Sequence, residues 1–250
     1  MSEGRHGQSR WYSAIARAWT LVHTPIFSVE PISTATCPAR AALAGNPSDG
    51  YGGAVVAIPI GDLTAMAALQ ESSTGEFHHR STDPELAALI EATAASYGAE
   101  FGQVPAVELS LSTNIPRSVG LGGSSALIIA ALRALAAFDS HRWDPVRLAE
   151  VALATERERM GVEAGLQDRL VQAVGKPVSM TFDPVGYEPL DLDPELQLFV
   201  AWSTDAAEPS DTVHRSLRRR FDAGDPRIVA AMGELRIQAG RARRGILSND

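Results

Sequence analysis

The sequence predicts an α+β fold, on three observations. Val107, Leu109 and Leu111 alternate with Glu108 and Ser110, the period of a half-buried strand. Asp83-Pro84 and Asp144-Pro145 each put an N-cap residue before a proline at the first helical position. Strands and helices then mix along the chain without the regular βαβ alternation of a parallel sheet.

The elements follow in order. Thr34 to Ile60 is the first fold-like segment, and Gly45, Pro47, Gly50, Gly52 and Gly53 make its centre a loop. Ala54 to Ile60 reads as a buried strand, and the helix from Pro84 ends at Gly98. A glycine-serine loop follows the 107–111 strand and leads into an apolar helix, Ser125 to Phe138. The helix from Pro145 runs to about Met160, and Gly161 to Gly175 is a loop entering another helix. Val178 to Phe182 and Leu196 to Trp202 are strand candidates, and two helices fill the chain from Ser210. The segment before Ser33, with Trp11, Tyr12, Ile15, Trp19 and Leu21, is either a peripheral amphipathic helix or an extension outside the fold.

Composition narrows the function classes. The 250 residues are 45% apolar and 21% charged, enough to build a sizeable core and unlike a disordered chain. A net charge of −8 lacks the basic excess of a nucleic-acid binder. Arg218 to Arg220 and Arg241 to Arg244 read as solvated helix faces. Cys37 is the only cysteine, so no internal disulfide forms, which fits a cytoplasmic setting. The most apolar stretch, Ala126 to Phe138, is too short to span a bilayer and contains Arg133, so no membrane partner is expected.

The loop Pro116-Arg117-Ser118-Val119-Gly120-Leu121-Gly122-Gly123-Ser124-Ser125-Ala126 carries the chemistry. A strand, a glycine-rich turn and a helix start present unpaired backbone N–H groups, and the helix dipole favours an anion there. Gly120, Gly122 and Gly123 let the backbone approach phosphates closely, while Ser124 and Ser125 offer hydroxyl donors or a Mg²⁺ ligand. The loop is neither a Walker loop nor G-x-G-x-x-G, since Ser125 stands where the last glycine should be. In isolation, a glycine turn before a core helix would look the same.

The loop resembles the second motif of the GHMP kinases, P-x-x-x-G-L-x-S-S-A, with one extra residue in the glycine run. Arg40-Ala41-Ala42-Leu43-Ala44-Gly45-Asn46-Pro47-Ser48-Asp49-Gly50-Tyr51-Gly52-Gly53 resembles their first motif, R-x-x-L-x-G-x-x-x-D-x-x-G-G. Gly45 to Asp49, Ile115 to Arg117 and Ala164 to Arg169 are similar to the plant-type glucuronokinase branch, and the likeness covers about Ala39 to the C-terminus. The resemblance implies an N-terminal ATP-binding domain over 34–185, after an extension at 1–33, and the start of a truncated C-terminal α+β domain over 186–250. The family's third, C-terminal glycine-rich motif has no counterpart here, which implies a truncated chain or a shortened homologue.

The resemblance also implies roles. Asp168 is the expected general base, and Arg40 its cationic partner. Each alone reads as a helix N-terminal charge and a surface arginine. Gly120, Gly122, Gly123, Ser124 and Ser125 are expected to bind ATP phosphates, and Asn46 and Asp49 sugar hydroxyls. Mg²⁺ is expected on Ser125 with Glu156 or Glu158. Arg117 and Arg169 are the candidates for pairing with a substrate carboxylate. The implied activity is ATP-dependent phosphorylation of the anomeric hydroxyl of a sugar acid, D-glucuronate first. The alternatives are a kinase for another sugar or small alcohol, or a catalytically silent sugar- or nucleotide-binding homologue.

Overall fold

The computed structural model describes residues 30–203 and 210–248. The extension read at 1–33 lies outside them except for its last four residues.

One six-stranded sheet organises the chain, and its second strand is the spine. β1 (Ser33–Ala44) and β2 (Ala54–Glu71) form an antiparallel pair along most of their length, joined through a 3-10 turn at Ser48–Tyr51. The other side of β2 is shared between two strands. Ala65–Glu71 pair with β4 (Val107–Thr113) and Ala54–Ala57 with β5 (Val178–Phe182), both antiparallel. β3 (His78–His79) extends the sheet parallel to β4, and β6 (Val185–Pro189) closes a hairpin with β5. The order is β3-β4-β2-β5-β6, with β1 alongside β2.

β2 runs eleven residues past the strand end expected at Ile60. Gly61-Asp62 reads as a turn in sequence. A register shift opposite Pro38/Ala39 instead lets the ladder resume beyond it, as a β-bulge does. That long strand ties the two halves of the sheet together.

Six α-helices accompany this sheet among the described residues. α1 (Pro84–Phe101) starts where Asp83 Oδ1 accepts the N–H groups of Glu85 and Leu86. It ends at a left-handed Gly102, one turn beyond the expected stop at Gly98. α2 (Gly123–Phe138) is the central helix, buried on almost every side through Ile128, Ile129, Leu132 and Leu135 and a run of alanines. The alanines allow close approach to β1 and β2. α3 (Pro145–Ala154) is capped by Asp144. α4 (Leu166–Val174) packs against α3 and α2. α5 (Ser210–Asp222) and α6 (Pro226–Ser248) are the two helices expected in the last part. α6 lies against β1 and β2 through buried Ile228, Met232 and Ala239.

Two expectations need correction. The helix expected to reach Met160 breaks at Ala154 and continues as one π-helical turn, Thr155–Arg159. Thr155 Oγ1 lies 2.8 Å from both the Val151 carbonyl, one turn back, and Ser96 Oγ on α1. Local back-bonding of this kind competes with the regular ladder, and π turns recur at functional sites. The strand expected at 196–202 does not form: no strand among the described residues pairs with it, and Phe199 is 86% exposed. An apolar run with unpaired backbone does not hold a strand by itself. Val185, the last residue of the unit expected over 34–185, is also the first residue of β6.

His78 and His79 point to different partners, as adjacent strand residues must. His78 Nε2 meets Glu108 Oε2 at 2.9 Å, and His79 Nε2 meets Glu91 at 3.6 Å. Among the described residues no helix is long and apolar enough to cross a membrane.

The weight that α2 carries is testable by comparing two isoleucines. Ile129→Ala, fully buried beneath the sheet, is expected to cost about 3 kcal/mol in denaturant unfolding. Ile237→Ala, half exposed on α6, is expected to cost less than about 1 kcal/mol.

Candidate active site

A cavity of about 1450 Å³ opens between the 3-10 turn, the glycine-serine loop and the start of α4. Arg40, Asn46, Asp49, Gly120 to Ser125, Glu156 and Asp168 all line it. Every residue expected at the site therefore reaches one cavity except Glu158, whose side chain is exposed outside it.

The loop is held from both sides. The Arg40 N–H donates to the Leu121 carbonyl at 3.1 Å, and Arg40 Nη1 donates to the Gly120 carbonyl at 2.9 Å. At the loop's end, Gly122 has φ +71, and a Cβ there would sit 3.0 Å from Gln172 Nε2 and 3.2 Å from Arg40 Cγ. Glycine meets both demands. α2 begins at Gly123, two residues before the expected Ser125, with no side chain capping it. Its first N–H groups are therefore available to an anion in the cavity.

The serines divide. Ser125 Oγ turns into the core, donating to Gln172 Oε1 at 2.7 Å and lying 3.1 Å from the Gly122 carbonyl. Ser124 Oγ turns the other way and donates to Glu156 Oε1 at 2.8 Å. The π turn aims Glu156 here, leaving it 1% exposed. Ser124, rather than the expected Ser125, thus meets Glu156, the first of the two expected glutamates, as the pair of hard oxygens at the cavity wall. A serine hydroxyl and a carboxylate suit Mg²⁺, which takes few protein ligands when phosphates supply the rest. Among the described residues no cluster of three or more His, Cys, Asp or Glu side chains forms a metal cage.

One face of α4 joins these parts. Asp168 forms an ion pair with Arg40 from β1. Arg169 is bound by Glu156, with Nε donating to Oε2 at 2.6 Å, and its Nη1 donates to the Gly165 carbonyl at 2.9 Å. The same Nη1 lies 3.4 Å from Asp168 Oδ2. Gln172, one turn further on, donates to the carbonyls of Pro38 and Gly122. The chain of contacts runs Arg40, Asp168, Arg169, Glu156, Ser124.

Asp168 lies at the Arg40 end of this chain. Burial alone would raise its pKa. The Arg40 and Arg169 guanidiniums, with hydrogen bonds from Arg40 and Gln167, overcome that and hold the carboxyl below the usual range. It is therefore ionised across the neutral range, able to accept a proton. Asp49 goes the other way. Burial first, and then the Asp168 charge, push it up to about 6, against the Gly50 and Gln167 N–H groups and Arg40. Asp49 is also packed against α4: a Cβ on Gly165 would lie 2.2 Å from Asp49 Oδ2. Asn46 Oδ1 accepts from Gln167 Nε2 at 2.8 Å, and the same nitrogen lies 3.0 Å from Asp168 Oδ1. Two buried polar atoms at the cavity, Arg40 Nε and Gln167 Oε1, have no partner among the described residues. Such groups are rare unless something else satisfies them.

Gln172 carries no sequence signal, because a glutamine inside a helix belongs to no motif, and Gln167 shows only as a member of the Ala164–Arg169 run. Arg218 and Arg219 resemble a solvated face in sequence, yet both line the cavity. Arg117 stands at the rim, 71% exposed and paired with Glu85. Arg169 is committed to Glu156.

Residues 87–176 match the family profile described as the GHMP kinases N terminal domain. Glucuronokinase 1 of Arabidopsis thaliana is 38% identical over 156 residues, 57% of this chain and 41% of its own length. A galactokinase of Thermotoga petrophila is 32% identical over 87 residues, 35% of this chain and 25% of its own. The chain spans 41% of the length of each Arabidopsis glucuronokinase it matches. Among solved structures, a D-glycero-D-manno-heptose 1-phosphate kinase from Bacteroides thetaiotaomicron superposes with a TM-score of 0.67 at 20% identity, covering 88% of this chain and 74% of that one. Lactococcus lactis galactokinase gives 0.56 at 18% identity, over 76% and 57%. These structures share the fold.

Asp49 and Asp168 have opposite linkage signs. A raised carboxyl favours the folded state below its unfolded pKa, and that contribution is lost as pH rises through about 6. A lowered one contributes above its unfolded pKa and is lost only as pH falls through its folded value, below the ordinary range. Asp49→Asn removes the first term. Relative to wild type, its stability is expected to improve by on the order of 2 kcal/mol between pH 4 and 7 in denaturant unfolding. A pH-independent difference would contradict the raised pKa.

Proposed function

We propose that this chain, which carries a GHMP kinase N-terminal domain, forms the nucleotide and acceptor site of an ATP-dependent sugar kinase, acting on the anomeric hydroxyl of a sugar acid, D-glucuronate. The observation that carries this reading is the continuous contact from Arg40 through Asp168, Arg169 and Glu156 to Ser124, which ends at the glycine-rich loop. The 38% identity to a plant glucuronokinase supports the choice of acid.

Each residue then has a part. The N–H groups at the start of α2 and the Gly120 to Ser125 backbone bind the ATP phosphates. Asp168 accepts the proton of the sugar hydroxyl as the hydroxyl oxygen bonds to the γ-phosphorus and the bridging P–O bond to ADP breaks. The products are ADP and the sugar 1-phosphate. A loose phosphoryl-transfer transition state asks for little base strength before the new bond forms, so a low pKa suits the role. Arg40 keeps the base ionised and, through its bonds to the Leu121 and Gly120 carbonyls, fixes the loop to the base. Asn46 and Asp49 orient the acceptor, and Asp49 also braces the N-terminus of α4. Ser124 and Glu156 are the residues that would hold Mg²⁺, which neutralises phosphate charge when bound. The ATP-binding unit we assign to 34–189, moved to the end of β6, in a cytoplasmic protein.

ADP release with ATP and D-glucuronate, galacturonate, galactose and mevalonate tests the assignment. Turnover with glucuronate above the neutral acceptors is expected. Turnover with a neutral acceptor alone would move the substrate to another sugar or alcohol, and ligand binding without turnover would make the chain a silent homologue. Asp168→Asn is expected to lower turnover by about 10²–10⁴-fold while leaving Mg·ADP affinity within about twofold. Unchanged turnover would remove Asp168 from its role.

A further inference from the structure

We infer that Arg218 and Arg219, on α5, form the subsite that receives the carboxylate of the acceptor. The inference rests on the sugar-acid reading above and deepens it by naming the residues that select the acid.

Six arginines line the cavity: Arg40, Arg117, Arg157, Arg169, Arg218 and Arg219. Four are already engaged. Arg40 binds Asp168, Arg169 binds Glu156, and Arg117 binds Glu85 at the rim. Arg157 donates to the Ala164 carbonyl. Arg218 is different. Its guanidinium lies over the Tyr51 ring, 4.6 Å from the centroid, and Nη2 donates to the Gly50 carbonyl at 2.5 Å. Its nearest carboxylate, Asp222, stands at 4.0 Å, the outer limit of an ion pair. Among the described residues the Arg219 guanidinium has no hydrogen bond or ion pair, and only the residue's backbone is engaged, its carbonyl accepting from the Ala223 N–H.

The position of Arg218 fits the role. Gly50 and Tyr51 belong to the same 3-10 turn as Asp49, so Arg218 sits at the acceptor end of the cavity. That end already carries two carboxyls, Asp49 and Asp168, which repel an anionic sugar. A sugar acid needs cations there to offset them. Guanidinium forks match a carboxylate bidentately, and stacking on Tyr51 orients one of them in advance. Less side-chain ordering then remains to be done on binding. Tyr51 itself stacks on Phe221 of α5 at 4.6 Å, which ties the helix to the turn.

The test is calorimetric binding of D-glucuronate, D-glucose and D-glucose 6-phosphate to the full chain, to Arg219→Ala, and to the Arg218→Ala/Arg219→Ala double variant. Arg219 is exposed and unpartnered among the described residues, so its removal leaves packing intact; circular dichroism checks the double variant. Wild type is expected to bind glucuronate more tightly than glucose. The double variant is expected to lose about tenfold or more in glucuronate affinity and none for glucose. Equal affinity for both sugars in wild type would overturn the sugar-acid reading and this inference together. A glucuronate preference that survives in the double variant would overturn the inference alone. Tighter binding of glucose 6-phosphate than of glucuronate would assign the cations to a phosphate and overturn the carboxylate.

Discussion

The buried pair between Arg169 and Glu156 is the interaction on which the rest of the site depends. Both side chains are almost fully enclosed, at 7% and 1% exposure. Charges taken out of water to that degree are tolerated only when paired and hydrogen-bonded, and removing one partner typically costs about 3–5 kcal/mol. Arg169 therefore fixes where α4 lies relative to the π turn. Its neighbour Asp168 is thereby fixed against Arg40, and Gln172, one turn on, against the loop carbonyl of Gly122. A single nine-residue helix thus sets the spacing between Asp168 and the glycine-serine loop.

The two carboxyls at the acceptor end illustrate how position sets chemistry. Asp168 has two guanidiniums beside it and stays charged. Asp49 lies in a comparable degree of enclosure, feels Asp168 as a like charge, and is pushed up to about 6. Pairs of carboxyls driven apart in this way are a recurring sign of divided roles. Here the division matches the proposed roles, Asp168 as the ionised proton acceptor and Asp49 as the group that holds geometry.

Much of this was legible in the sequence, for identifiable reasons. Asp83-Pro84 and Asp144-Pro145 announced two helices because capping is local chemistry, and both caps form. The glycine-serine loop was legible because phosphate approach leaves few residue choices. What could not be read depended on partners distant in the chain. Ser124 and Ser125 are indistinguishable in sequence; they separate only because Gln172 claims one and Glu156 the other. Glu156 and Glu158 differ only through the π turn, which Thr155 sets by bonding Ser96 on another helix. The β2 extension past Gly61 required a bulge against Pro38. The 196–202 segment has the apolar composition of a strand but no neighbour to pair with among the described residues. Arg218 looked like any exposed arginine until the fold brought Tyr51 beneath it.

The central claim is that α4 brings one nucleotide site and one acceptor site together, with the metal ligands on the nucleotide side. The most direct measurement is a crystal structure with Mn²⁺ and a non-hydrolysable ATP analogue, read by anomalous scattering. The expected result is a single metal peak at coordinating distance, about 2.0–2.2 Å, from Ser124 Oγ and a Glu156 oxygen, with the triphosphate across Gly120 to Ser125. A metal held by neither residue, or a triphosphate bound away from the start of α2, would contradict it.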